Sequence, residues 1–433
     1  MARQGHSYEN YEFLDLIGIG SFGSVHKAQN KNTNEIVAIK VMKEKFKSTA
    51  ECGRLTEYKM LKAMRPHPNI VQLYDTFLSS SNELYFVMEY LDFGNLYQFI
   101  NERKVLNKFI ELEEIKSILY QMLAALSHIH YKEHIFHRDI KPENLLISIS
   151  NDGSLTLKLA DFGLAKCLNS RPPFTDYVST RWYRAPEVLL KSNNYSYPID
   201  LWAVGTIFAE LITLDPLFPG QSEVDQLYRI FEVLGSPGTV VKKKKSRIDL
   251  LSSSIVYSSP PSIIGLGGEW KEGVKLAQKL GFQFPRNTTP FGSFLHILNS
   301  TSVPSEGIDL LTSLLKFDPC KRIDSTTALS HSFFAKKNDQ AQLDLPDIPP
   351  ISPLMKDEPR FFDFKIAFDN IPQESLLSRT ISSPVLYTES TENTLNRRSM
   401  SDLSINLHQN EKISKFHKLS LWAKKCGLTT DKF

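Results

Sequence analysis

With 433 residues, the chain has room for about two or three domains at roughly 150 residues each. Its 41% hydrophobic and 11% aromatic residues can fill a sizeable core. The 51 Lys and Arg against 48 Asp and Glu leave a net charge of +3, which makes no case for nucleic-acid or membrane binding across the whole chain.

From Tyr11 to about Tyr90 the pattern is mostly short and strand-like. "YEFLDLIGIGSFGSVHKAQN" is two alternating runs around a Gly-rich turn, and "EIVAIKVM" and "ELYFVMEYL" are further strands rich in β-branched and aromatic residues. Between them, the spacing of "ECGRLTEYKMLKAM" predicts one helix, with Leu55, Tyr58 and Leu61 or Lys62 on neighbouring faces. After Asp92 the period changes. "EIKSILYQMLAALSHIHYKE" carries apolar residues at Ile115, Ile118, Leu119, Met122, Leu123 and Leu126, and "PIDLWAVGTIFAELIT" and "GIDLLTSLLKFD" read as two more helices. A small β-rich unit followed by a larger helical one is the outline of a two-lobed α+β protein.

Residues from about 238 to 268, with "KKKKSR", a Ser cluster and "SIIGLGG", read as a long inserted loop. Beyond Phe334 the composition turns polar and Ser-rich, so 335–433 read as a mostly disordered tail whose end, "ISKFHKLSLWAKKCGL", suits a short basic amphipathic helix. No internal repeats occur. The four cysteines, Cys52, Cys167, Cys320 and Cys426, form no C-x-x-C pair, which argues against a zinc site or disulfide framework and for a reducing compartment. "MARQGHSYEN" lacks the apolar core of a signal peptide, and no apolar run approaches the roughly 20 residues of a membrane span. A soluble intracellular protein is expected.

"GIGSFGSV" holds glycines at 18, 20 and 23, where backbone N–H groups can approach phosphate with no side chain in the way. In dinucleotide folds such a loop leads into a helix. Here "SVHKAQN" continues as a strand, so a glycine hairpin over a nucleotide fits better, and an oxidoreductase is set aside. Lys40 ends "VAIK", flanked by residues that look buried, and a strand lysine in that setting needs a charge partner. Glu57 on the following helix is the natural one, and such a pair can hold an ammonium at the α and β phosphates of ATP.

"HIFHRDIKPENLL" carries the strongest signal. Asp139 is placed to orient an attacking hydroxyl and accept its proton, Lys141 to neutralise charge on the moving phosphoryl group, and Asn144 to bind a second magnesium ion. In "LADFGLA", Asp161 would hold the magnesium that bridges the phosphates, and Gly163 would let the strand turn.

With these motifs in order, residues 11–334 resemble the eukaryotic protein kinase family: "GIGSFGSV", "VAIK", Glu57, "HRDIKPEN", "DFG" and "APE". The resemblance implies a two-lobed fold, with N-lobe 11–91, C-lobe 92–334 and a leader at 1–10, and ATP with Mg²⁺ in the cleft. It implies that Ile17, Gly18, Gly20, Gly23, Val25 and Ala38 line the nucleotide. Met88 would guard the back pocket, and Glu89 to Leu91 would be the hinge that hydrogen-bonds adenine. Glu187 of "APE" would pair with Arg322 as a structural ion pair. A pseudokinase scaffold is the rival, but it would require loss of Lys40, Asp139, Asn144 or Asp161, and all four are present.

"PPFTDYVSTRWYRAPEVLL" resembles the branch of cyclin-dependent and mitogen-activated kinases, and within it the male-germ-cell-associated, intestinal-cell and fungal inducer-of-meiosis kinases. "GGEWKEGVKLAQKLGFQFP" after the insert is more similar to the fungal members. The resemblance implies Ser/Thr protein substrates, often with upstream Arg and Pro, a monomer, and a role in meiotic entry, cell cycle or differentiation. It implies phosphorylation of Thr175 by another kinase and of Tyr177 by the kinase itself. Arg138 is expected as a buried cation that needs an anionic partner such as phospho-Thr175, with Arg54 as a second contact. Arg181 and Arg184 would receive phospho-Tyr177, and Thr180 would contact Asp139 and Lys141 as a structural hydroxyl. Relatives in this branch commonly carry an Arg just before the helical Glu, where this chain has Thr56. No clear cyclin-binding helix signature occurs. "KKKKSR" reads first as a solvated basic cluster and second as a nuclear-import signal, and two P-x-x-P spacings at Pro346–Pro349 and Pro350–Pro353 read first as a common Pro-rich tail and second as ligands for an aromatic groove; nucleus and cytoplasm are expected.

Overall fold

In the computed structural model, the described residues are 8–20, 22–150, 152–168, 170, 180–237, 266–285 and 303–335. Thr175, Tyr177, "KKKKSR", both P-x-x-P spacings and the tail from 336 lie outside them.

The N-terminal part is a five-stranded antiparallel sheet of β1 (Tyr11–Ile19), β2 (Gly23–Asn30), β3 (Ile36–Lys45), β4 (Leu73–Leu78) and β5 (Glu83–Glu89), ordered β1-β2-β3-β5-β4. The period of two divides the apolar residues of β3 between two faces. Val37 and Ile39 join Tyr11, Ala28, Tyr85 and Val87 on one face, while Met42, in step with Ala38 and Lys40, belongs to the main core on the other. In register, Lys40 lies opposite Val25 on β2 and Phe86 on β5, and Ala38 lies opposite Met88. Residues far apart in sequence are thereby aligned on one face.

The predicted single helix over 51–64 is two helices, α1 (Thr49–Cys52) and α2 (Thr56–Ala63). Gly53 caps the first, its N–H bonding to Thr49 O at 3.1 Å, and Leu55 is extended at φ −69°, ψ 125°. A poor helix former at 53 ends one helix and restarts the next. Glu57 therefore sits in the first turn of α2, where the helix dipole favours a carboxylate.

Beyond the two-residue strand β6 (Gly94–Asn95) lies α3 (Leu96–Val105), which opens on an Asn95/Gln98 capping box; α4 (Leu112–Tyr131) opens on one from Glu111 and Glu114. Short strands β7 (Ile135–Phe136), β8 (Leu145–Ile149), β9 (Leu155–Leu159) and β10 (Lys166–Cys167) carry the intervening loops. Then come α5 (Pro186–Leu189), α6 (Pro198–Thr213), α7 (Glu223–Leu234), α8 (Lys271–Lys279), α9 (Ser305–Leu314) and α10 (Ser325–Leu329). Helix α6 starts on Pro198, suited to a first turn. It is buried nearly all round, from Leu201 and Trp202 to Phe208 and Leu211, so it forms the core that the other helices pack around. Each such side chain contributes about 1.5–3 kcal/mol on burial. Glu187 and Arg322 pair as expected, at 2.7 and 3.1 Å, both buried. Within the expected insert, Gly267 already packs on Phe317, whose N–H bonds to Gly267 O at 2.8 Å. Among the described residues no helix is long and apolar enough to cross a membrane.

Candidate active site

The glycine hairpin is closed by the Gly20 N–H on Gly23 O at 2.8 Å. A side chain at Gly23 would put its Cβ 2.0 Å from Val41 O, so the sheet itself demands glycine there. At Gly18 and Gly20 the nearest atoms would be 3.8 and 3.9 Å away, so the protein alone does not require them. Their bareness leaves backbone open to an incoming group, in keeping with a phosphate cradle. Ile17 is exposed on β1, while Val25 and Met88 are half-buried and Ala38 and Leu91 are buried. Glu89 ends β5, its carboxylate held by Lys158 at 2.7 Å and its N–H by Gln72 O at 3.0 Å.

Lys40 donates to Glu57 Oε1 at 2.6 Å and to Asp161 Oδ1 at 3.4 Å. Burial works against the ammonium, but Glu57 and then Asp161 outweigh it and hold Lys40 above the ordinary lysine pKa. Burial pushes Glu57 up against the pull of Lys40. With two carboxylates serving one ammonium, the charged lysine is the state that the geometry supports. Asp161 is held below the usual carboxylate range: burial opposes this, and Lys40, His137 and the Gly163 N–H overcome it.

The loop after β7 holds Asp139, Lys141 and Asn144 in one network. Lys141 donates to Asp139 Oδ2 at 2.7 Å, and Asn144 Nδ2 donates to Asp139 O at 2.7 Å and Oδ2 at 3.0 Å. Asn144 O accepts the Ala160 N–H at 2.9 Å, which joins this loop to the residue before Asp161. Asn144 uses its amide nitrogen on Asp139, so its carboxamide oxygen is left for a cation. Asp161, with a side chain 36% exposed, uses Oδ1 on Lys40 and on the Gly163 N–H, which leaves Oδ2 open among the described residues. Two hard oxygen donors, one on Asn144 and one on Asp161, fit a magnesium ion.

Three expectations need correcting. Gly163 lies in a one-turn 3-10 helix at ordinary φ, and the left-handed residue is Asp161 at φ 63°. The strain sits on the acidic residue, whose side chain caps that turn. Arg138 is not a cation waiting for a partner: it donates to Leu164 O at 3.1 Å and to the Tyr195 hydroxyl at 2.8 Å. Thr180 is exposed and lines a small cavity with Asp139, but among the described residues its hydroxyl makes no hydrogen bond to Asp139 or Lys141. Arg54 and Arg181 are exposed, whereas Arg184 is buried with its guanidinium 3.7 Å from Glu223.

The sequence reading missed Asp200. Buried at the start of α6, it accepts the N–H groups of His137 and Arg138 at 2.8 and 2.9 Å and touches His130 Nε2 at 3.0 Å. An acid in the apolar run "PIDLWAV" is the signal that could have found it. Tyr183 and Glu210 were missed as well: the tyrosine hydroxyl donates to the buried carboxylate at 2.8 Å. Burial, with Glu143 and Asp215 nearby, pushes Glu210 up to about 7, and the Tyr183 bond opposes that.

The protein kinase domain pattern matches residues 11–334. The chain is 44% identical over 324 residues to serine/threonine-protein kinase MAK of Mus musculus, covering 75% of this chain and 45% of that one. Identity to serine/threonine-protein kinase ICK of the same organism is also 44%, with the same coverage. Cyclin-dependent kinase F-4 of Oryza sativa subsp. japonica is 42% identical over 326 residues, covering 75% of this chain and 61% of that one. The chain thus spans about half to three-fifths of the length of these relatives. With that match over a two-part fold and this constellation of side chains, the chain belongs to the protein kinase family.

Proposed function

We propose that this protein is a serine/threonine kinase that moves the γ-phosphoryl group of ATP onto Ser or Thr hydroxyls of protein substrates. The observation that carries the reading is the linked pair of clusters: Asp139, Lys141 and Asn144 on one loop, tied through Ala160 to Asp161, Lys40 and Glu57. Magnesium-bound ATP supplies the phosphoryl group and most of the charge neutralisation. Asn144 and Asp161 would hold the metal, and Gly18, Gly20, Gly23, Val25 and Ala38 would cover the nucleotide. Met88 and Glu89 to Leu91 would border the base. Asp139 orients the acceptor hydroxyl and takes its proton, and Lys141 steadies that carboxylate and meets developing negative charge. Glu57 holds Lys40 in line for the phosphates.

The activation reading belongs here too. Phosphate on Thr175 and Tyr177 would order the segment that carries them by pairing with arginines. The likeness to the inducer-of-meiosis group supports a role in meiotic entry, cell cycle or differentiation, with an upstream activating kinase. A monomer found in nucleus and cytoplasm is part of this proposal. Transfer of labelled phosphate from ATP to a basic Ser/Thr peptide tests the activity. Transfer that requires Asp139 supports it, and a folded protein with no transfer under any phosphorylation state would leave only the scaffold reading.

A further inference from the structure

Lys43 is exposed on β3, and among the described residues it pairs with no carboxylate. An exposed strand lysine is ordinarily a solvated charge. Lys43 instead turns both of its donors onto the glycine hairpin. Its Nζ donates to Gly20 O at 2.7 Å, and its backbone N–H donates to Phe22 O at 2.9 Å. Lys45 is the contrast: its ammonium goes to Ser81 O at 3.3 Å and Glu83 Oε1 at 3.4 Å, on the β4–β5 turn.

The two Lys43 bonds fall where strand pairing stops. The β1–β2 ladder ends at Ile19 opposite Ser24, and the β2–β3 ladder ends at Gly23 opposite Met42. Lys43 is the next residue of β3, so it supports the hairpin where the ladder no longer does. Gly20 has the backbone freedom of a residue without Cβ, and a tip with nothing behind it would sample many shapes. Its carbonyls add a second difficulty, because an oxygen aimed at a bound phosphate repels it. Here Gly20 O faces an ammonium, Phe22 O faces the Lys43 N–H, and Gly23 O faces the Gly20 N–H at 2.8 Å. Each of these negative ends is occupied within the protein. The base end of the cleft lies elsewhere. Ala38, opposite Met88, stands five residues back along β3, roughly 15 Å at about 3.3 Å per residue.

Resting on the kinase reading above, we infer that Lys43 is a positioning residue that latches the glycine hairpin over the phosphates of the nucleotide. Lys40 and Lys43 divide one strand between them: the first meets the phosphates, and the second holds their cover. A latch at the tip acts on the phosphates and leaves the base end untouched.

The test uses the full chain, with magnesium-ADP and adenosine as calorimetric probes and ATP in peptide kinetics. Lys43→Met should weaken ADP binding and raise the KM for ATP about three- to tenfold, the range of one exposed hydrogen bond. Adenosine affinity, kcat and the KM for peptide should stay within about twofold. Lys43→Arg, which keeps a cationic donor, should restore most of the ADP affinity. The side chain is exposed, so the melting temperature without nucleotide should hold, and Lys43→Gln is the second variant should Lys43→Met melt early. Equal losses for ADP and adenosine would make Lys43 a merely structural residue, and unchanged ADP affinity would leave its bond idle. Either result overturns the latch. A wild-type chain that binds neither probe overturns the kinase reading, and the latch with it.

Discussion

Asp200 accepts the backbone N–H of Arg138 at 2.9 Å, and Arg138 stands at φ 74°. A buried carboxylate thus holds a non-glycine residue in left-handed backbone directly before Asp139. Asp200→Ala should leave the N–H groups of His137 and Arg138 without acceptors, costing about 2–4 kcal/mol. It should lower kcat at least tenfold through a shifted Asp139. Denaturant melts and peptide kinetics check both, and a stable variant with normal kcat would show that the strain is held elsewhere.

Asp139→Asn should keep the melting temperature and nucleotide affinity while lowering kcat by a factor of about 10² to 10⁴, the usual range for a positioned proton acceptor. Near-normal kcat on a peptide would remove Asp139 from the chemistry.

Lys40 and Glu57 should not be equivalent. Lys40→Met strips two carboxylates of their shared cation, one of them buried, and should cost about 3–5 kcal/mol. Glu57→Gln leaves Lys40 beside Asp161 at 3.4 Å and should cost only about 1–2 kcal/mol. Equal losses in matched melts would contradict a three-member cluster.

Acid should weaken the fold through His67. Its ring lies 4.7 Å from that of His128, and its Nδ1 accepts the Asn69 N–H at 3.1 Å. Burial, with His128 and Lys158 nearby, lowers its pKa from 6.5 to about 4. Between those values the unfolded chain binds a proton that the fold refuses, so stability falls as pH drops from 6.5 to about 4. The half-exposed ring is screened by solvent, which reduces the loss to about 1–2 kcal/mol. His67→Asn should flatten that part of the stability curve, and an unchanged slope would place the titration on another group.

Thr175→Ala and Tyr177→Phe should each lower activity with the melting temperature nearly unchanged, and mass spectrometry of active protein should find phosphate on one or both. Full activity in the double variant, with neither site modified, would make the stretch an ordinary polar loop.

The catalytic loop was legible because its chemistry is consecutive: Asp139, Lys141 and Asn144 fall within six positions, and local geometry brings them together. Lys40 and Glu57 were legible because a strand lysine needs a partner and the next helix offers one acid on the right face. Asp200, His130 and Tyr195 were not. Their contacts cross 57 to 70 residues, and no local spacing announces them. The break at Gly53 was overridden by an apolar period that spans both short helices. Helix α7 went unread although Ser222 caps it and its apolar residues follow a helix period. Gly163 was expected to let the strand turn, whereas the left-handed residue is Asp161 before it.

The pairing of Glu187 with Arg322 spans 135 residues, and it has a consequence for the ribosome. At about 5–20 residues per second, the carboxylate leaves the exit tunnel roughly seven to twenty-seven seconds before the guanidinium that neutralises it. Until then α5 cannot bury Glu187 without an uncompensated charge, so the C-terminal part of the domain must complete after synthesis passes Arg322. A chain stalled short of that point should be a chaperone client, however intact its catalytic loop.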